Sequence, residues 1–217
     1  MTSRPVRATG AGNDRGVTLV VVLLVVIALH AAGLGLAMVA ATDQMVSRSR
    51  RAAIEGRHAS AAVLERVIDD LRLRSDWTAV LGGLDRSAFL DATRRPVLAS
   101  GRALDLDAIE AALQAESDRT FRRGPDNPRW TLFASGPLVG LTGSPVAAGA
   151  PYLAAWVADD PSESDGLPSA DANQVISIRA MAFGPGPARS ETAATLAVVD
   201  DGSGGAAVRV LSWREIR

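Results

Sequence analysis

The chain has 217 residues, 47% of them hydrophobic, and a formal net charge of −1. It carries no cysteine, which excludes disulfides, thiolate metal sites, iron–sulfur clusters and thiol catalysis. The near-zero charge and an aromatic share of 4% leave neither the basic field nor the stacking surface that nucleic-acid binding uses.

Residues 1–16 form a short segment that carries Arg4, Arg7 and Arg15 against Asp14 and ends in Gly16. From Val17 to Ala41 there is no Asp, Glu, Lys or Arg. As a helix this run is about 37 Å long, and a hydrocarbon core is about 30 Å thick, so residues 17–42 predict a membrane-spanning helix. The apolar core of a secretory signal is about 7–15 residues, so a plain cleaved signal fits poorly. Arg48, Arg50, Arg51 and Arg57 follow the run, and basic residues on both sides leave orientation undecided by charge. His30 lies inside the run, where an ionisable group is either functional or a neutral imidazole resting on a backbone carbonyl or a neighbouring helix. Gly33 and Gly35 lower helix propensity by about 1 kcal/mol each relative to alanine, and mark close helix packing or local unwinding.

Between Asp43 and Arg74 there is no proline and Gly56 is the only glycine. Ile54, Ala61, Leu64, Ile68 and Leu71 fall on one helical face, so residues 43–74 predict an amphipathic continuation of the same helix. Arg66 with Asp70, and Asp70 with Arg74, sit four residues apart and read as a solvated outer face.

Residues 75–217 read as a globular head. "SDWTAVLGG" (75–83) predicts a short helix stopped by Gly82 and Gly83. Residues 104–117 predict a second helix, with Asp107 as N-cap and Glu110 three positions on. Five segments rich in β-formers follow: Arg129–Ser135, Tyr152–Ala158, Val175–Phe183, Thr192–Val199 and Ala207–Trp213. Gly/Pro/Asp clusters separate them at 136–151, 159–174, 184–188 and 200–205, the last reading as a hairpin loop. Ile176, Ile178, Ala180 and Ala182 alternate onto one face. Helices followed by strands predict an α+β fold, an antiparallel sheet packed on the long helix.

The loop "DDPSESDGLPSADAN" (159–173) gathers Asp159, Asp160, Glu163, Asp165 and Asp171 with no basic residue. Two readings stand side by side: a solvated polar turn, and a calcium loop, since calcium takes about six to eight oxygen ligands. Pro161 breaks the EF-hand spacing. The two histidines, His30 and His58, both fall in the long helix. GxSxG, HExxH and phosphate-loop motifs are absent from the sequence, and no helix pattern follows the glycines of 202–205. No catalytic constellation is therefore assigned, and the chain is not expected to be an enzyme.

"DRG" followed by "VTLVVVLLVVIALHAAG" resembles the leader and first helix of type IV pilin-like proteins. The resemblance implies cleavage between Gly16 and Val17 by a prepilin peptidase, methylation of Val17, and retention of residues 17–42 as membrane anchor and then filament core. Major pilins carry a glutamate where this chain has Val21, which implies a low-copy subunit. "GPDNPRWTLFASGPL" (124–138), "YLAAWVADDPSESDG" (152–166) and "ISIRAMAFGPGPARSETAATLAVV" (176–199) are similar to segments of PilX-type minor pilins. The implied setting is a single pass through a bacterial inner membrane with the head periplasmic, then a pilus outside the cell. The implied partners are other pilins and minor pilins, the inner-membrane assembly platform and a tip adhesin. A K-type minor pseudopilin of type II secretion, and an anchored periplasmic binding domain that never polymerises, are the alternatives.

Overall fold

With no proline between Asp14 and Arg74 to interrupt the backbone ladder, the apolar run and the amphipathic stretch form one helix, α1 (Asp14–Arg72). The computed structural model describes residues 14–121, 124, 126–143, 149–163, 165–184, 189–200, 202 and 205–216. After α1 come α2 (Thr78–Leu81), α3 (Leu106–Thr120), β1 (Thr131–Pro137), α4 (Leu138–Thr142), β2 (Tyr152–Asp159), β3 (Val175–Phe183), β4 (Arg189–Asp200) and β5 (Ala206–Ile216). The architecture is α+β: a long N-terminal helix packed against a five-stranded antiparallel sheet of order β1-β2-β3-β4-β5.

The chain forms two compact units, residues 1–50 and 51–217. In the first, every side chain from Gly16 to Arg50 is exposed. In the second, Ala59, Val63, Leu64, Val67, Ile68 and Leu71 recur at helical spacing and are buried against the sheet. This stripe is offset from the one expected. Leu64, Ile68 and Leu71 belong to it, whereas Ala61 is half-buried and Ile54 is 47% exposed.

The end of α1 corrects the reading of its charged face. Asp70 is only 6% exposed. Its carboxylate pairs with Arg66 at 3.0 Å and accepts a hydrogen bond from the Ser87 hydroxyl. Arg74 turns away from that carboxylate, pairs with Asp85 at 2.5 and 2.9 Å, and lies over the Phe133 ring. These groups therefore line a joint between helix and head, because the segment after α1 folds back over them. Orphan carbonyls of the last turn are met in the same place. The Trp77 indole donates to Leu71 O at 3.2 Å, and an Arg74 guanidinium N–H donates to the Asp70 carbonyl.

Helix α3 starts two residues earlier than Asp107 implies. Asp105 is its N-cap, in extended conformation, and accepts from Ala108 N at 2.9 Å. Asp107 lies in the first turn and pairs with Arg94 at 3.5 Å, while Glu110 accepts from Leu132 N at 3.1 Å. Strand β1 is displaced two residues from the expected span, because Trp130 N is taken by the Gln114 side chain at 3.1 Å. The loop after β1 contains the short α4, closed by Gly143 at φ 65°.

Alternation places β2 between two cores. Leu153, Ala155 and Val157 face α1, joined by the expected Ile176, Ile178, Ala180 and Ala182 of β3. Tyr152, Ala154, Trp156 and Ala158 face a second core with Leu106 and Leu113 of α3. Strands β4 and β5 pair from Glu191↔Ile216 to Asp200↔Ala206, the hairpin expected from 200–205.

Truncation separates the two units experimentally. Leu64→Ala removes a buried anchor and is expected to cost about 2–5 kcal/mol. At roughly 2–4 °C per kcal/mol, the melting temperature of the detergent-solubilised chain falls by about 4–20 °C. Leu34→Ala, at a position 69% exposed, leaves it unchanged. Thermal melting by near-UV circular dichroism checks both.

Candidate functional site

Two regions carry the residues singled out from the sequence. The first is the apolar half of α1. Gly16–Arg72 is the one helix among the described residues that is long and apolar enough to cross a membrane. Val17, Val21, His30, Gly33 and Gly35 are all exposed on it. His30 meets its own need: the ring Nδ1–H donates to Val26 O at 2.8 Å, one turn back. Thr42 does the same toward Met38 O at 3.0 Å. Local back-bonding of this kind lets polar side chains sit on an apolar helix without a partner from another element. A Cβ built on Gly16, Gly33 or Gly35 meets nothing within 4 Å. Among the described residues, the absence of a side chain at these positions relieves no contact.

Gly16 and Val17 lie inside the helix, which begins at Asp14. Any enzyme that cuts between them must first unwind the opening turn. Helix ends fray most readily, and a glycine there lowers helix propensity by about 1 kcal/mol.

The second region is the acidic loop after β2. Asp159 ends the strand and is 3% exposed, Asp160 is buried, and Glu163 is half-buried. Carboxylate oxygens of these three lie within 4.8 Å of one another. The loop's own backbone holds them. Asp159 accepts from Asp160 N at 2.9 Å, and Asp160 accepts from Ser162 N at 2.8 Å and from the Asn173 amide at 2.6 Å. Glu163 Oε1 accepts from Ala172 N at 2.9 Å and also from Asn173 N. Glu163 Oε2 and Asp171 Oδ1 are buried and have no hydrogen-bond partner among the described residues. Asp165 is exposed and turns to Leu167 N at 2.8 Å, so the group of three forms without it.

Packing acids this closely opposes their ionisation. Burial, and next the Glu163 charge, push the Asp159 carboxyl up to about 7. Burial also raises Asp171, to about 6, with Glu163 adding to the shift. Three protein carboxylates fall short of the six to eight oxygens that calcium takes, and carbonyl or water oxygens would have to complete the shell.

One charged group carried no sequence signal beyond a lone arginine in the apolar strand "VISIRAMAF". Arg179 is buried, pairs with buried Glu191 and with Glu116 at 2.9 Å, and lies 5.8 Å from the Trp130 ring centroid. Arg and Glu191 fall on neighbouring strands and Glu116 on α3, so only the fold assembles them.

Compared with known proteins, the chain matches no family model, no curated sequence and no solved structure.

The raised Asp159 gives a signed pH dependence. Its ordinary value is 3.8 and its folded value about 7, so the native state holds the proton more tightly than the unfolded chain. The stability it contributes is full below about pH 4 and is lost as pH rises through 7. Asp159→Asn keeps the acceptor for Asp160 N and removes the charge. In buffer with chelator, this variant melts at least about 2 °C above the parent at pH 8, and the gain shrinks toward pH 5. Melting of the parent with and without 5 mM calcium chloride checks the calcium expectation: retention of the ion raises the melting temperature by mass action.

Proposed function

We propose that the chain is a low-copy minor subunit of a type IV pilus, a structural and assembly component without catalytic activity. The observation that carries this reading is α1 itself. One uninterrupted helix has an all-round apolar, exposed stretch at Val17–Ala41 and a one-sided buried stripe at Ala59–Leu71. The first stretch needs lipid or other apolar helices around it, and the second holds a folded head.

The open surroundings of Gly16, Gly33 and Gly35 support the same reading. Each glycine weakens the helix by about 1 kcal/mol and relieves no clash within the chain. Their small size is then useful to a second molecule: a peptidase at Gly16, and neighbouring helices packing closely at Gly33 and Gly35. In this reading residues 1–16 are removed by a prepilin peptidase and Val17 becomes a methylated N-terminus. Residues 17–42 serve in the inner membrane and then in the filament core.

Val21 sets the copy number. An apolar residue there forms no ion pair with a neighbour's terminal amine, and such a pair is what fixes register in a repeating shaft. The subunit therefore joins in small numbers, with other minor pilins and a tip adhesin as its partners. A K-type pseudopilin of type II secretion shares this chemistry, and co-purification with sheared filaments separates the two.

Edman or mass-spectrometric sequencing of the membrane form is expected to start at N-methylated Val17. Gly16→Val adds a side chain that meets nothing in this chain, so the protein still folds and inserts but stays uncleaved. A chain that retains Met1 or Thr2, or normal maturation of Gly16→Val, removes the pilin assignment and leaves an anchored domain.

A further inference from the structure

The two edges of the sheet are treated differently. The outer edge of β1 is closed by the segment before it. Ser87 N donates to Phe133 O at 3.0 Å, Ser135 N to Phe89 O at 2.9 Å and Asp91 N to Ser135 O at 2.7 Å. The outer edge of β5 has no such cover: among the described residues its 11-residue backbone pairs only with β4. Strand edges left open are usually blunted by charge, by bulges or by proline. β5 has a bulge at Leu211 and carries Arg209 and Arg214, both exposed and in no ion pair among the described residues. Those devices do not account for its apolar side chains. Val210, Leu211 and Trp213 are all exposed, Trp213 to 57%, and it is the one tryptophan of the chain that is not buried.

We infer that the free edge of β5 is a docking site for an extended acidic and apolar segment of a different polypeptide, which adds as a sixth strand. The register with β4 supplies the template. Arg214, Ser212 and Arg209 stand opposite Ala193, Thr195 and Ala197, on the sheet face away from α1. Trp213, Val210 and Val208 stand opposite Ala194, Leu196 and Val198, on the α1 face. A regular strand alongside β5 thus meets the two arginines at positions i and i+4 and the apolar residues at i+1, i+3 and i+5. The complementary segment has Asp or Glu at i and i+4, a small polar residue at i+2 and apolar residues between.

A second copy of this chain fits poorly. The two-fold register that sets Val210 opposite Trp213 also sets Arg209 opposite Arg214, twice, and like charges directly opposed destabilise a strand pair. The arginines therefore disfavour that self-paired register and favour an acidic partner. This edge belongs to the sheet alone and does not depend on the filament reading.

The test uses the full chain in detergent and the peptide Thr-Glu-Val-Ser-Val-Glu-Val-Thr, beside the same peptide with lysine for both glutamates. Hydrogen–deuterium exchange across residues 206–216 and the tryptophan emission, to which Trp213 is the one exposed contributor, are followed. The glutamate peptide is expected to slow exchange of β5 about tenfold and to blue-shift Trp213, with the lysine peptide inactive. In the Arg209→Glu, Arg214→Glu double variant the preference inverts, and an unchanged melting temperature shows that it folds. Should that variant fail to fold, the contrast between the two peptides on the parent decides alone. The proposal is overturned if neither peptide acts at millimolar concentration or if both act equally. It is also overturned if protection rises with protein concentration alone, which marks a second copy, or appears only with phosphatidylglycerol vesicles, which marks a lipid surface.

Discussion

Everything in the head hangs on one buried stripe of α1. Ala59, Val63, Leu64, Val67, Ile68 and Leu71 share a face with the apolar residues of four strands, and no other helix covers that side of the sheet at comparable length. A side chain of this size, fully buried, contributes about 1.5–3 kcal/mol by area alone. Five such positions, with the smaller Ala59 beside them, on one rigid element outweigh any single contact elsewhere in the domain. The same helix runs on toward its N-terminus with apolar residues on every face, where no sheet exists to receive them. A single backbone ladder thus carries two textures, and the change from one to the other is written in the pattern of side chains rather than in any break of the helix.

Where helix meets head, charges are organised to survive burial. The Asp70 carboxylate has Arg66 on one side and the Ser87 hydroxyl on the other, so its lone pairs are occupied. Arg74 is held by both oxygens of Asp85 and by two carbonyls, those of Asp70 and Arg86. Removing one partner from such a group strands the other in low dielectric, which is worth more than the pair itself contributes. The joint therefore fixes direction more than it adds stability: it determines where the chain leaves α1 and how α2 turns back. Arg179 does the equivalent on the opposite face of the sheet, tying β3, β4 and α3 together through Glu191 and Glu116.

The acidic loop works against this economy. Asp159 and Asp160 are buried beside Glu163, and the cluster has backbone donors and one amide but no cation of its own among the described residues. Its acids oppose one another's ionisation, and it is kept in place by β2 and β3, which pair through Ala158 and Asp159 at its base. The open edge of β5 is the other departure from a closed fold, since large apolar side chains are left facing solvent on a strand that could have been capped. Both features lie on the head.

Periodicity alone determined the long helix, the order of its two textures, the five strands and the alternation of β3, because each depends only on neighbours a few residues apart. The hairpin closing β4 and β5 was legible for the same reason. What the sequence could not decide is which of several equivalent short-range options the tertiary contacts would favour. Asp105 and Asp107 are both capable caps, and the one in extended conformation ahead of the helix won, leaving Asp107 to Arg94. Asp70 and Arg74 read as surface charges until the returning segment at 85–87 buried them. Ile54 has the spacing of a core residue yet lies outside the buried stripe, while Val63 and Val67 lie within it. The loop acids could be counted from the sequence, but which three meet depends on how the turns at Asp160 and Asn173 fold the loop onto itself. Local patterns are set by chain geometry; burial, pairing and protonation are set by which segments fold back onto them.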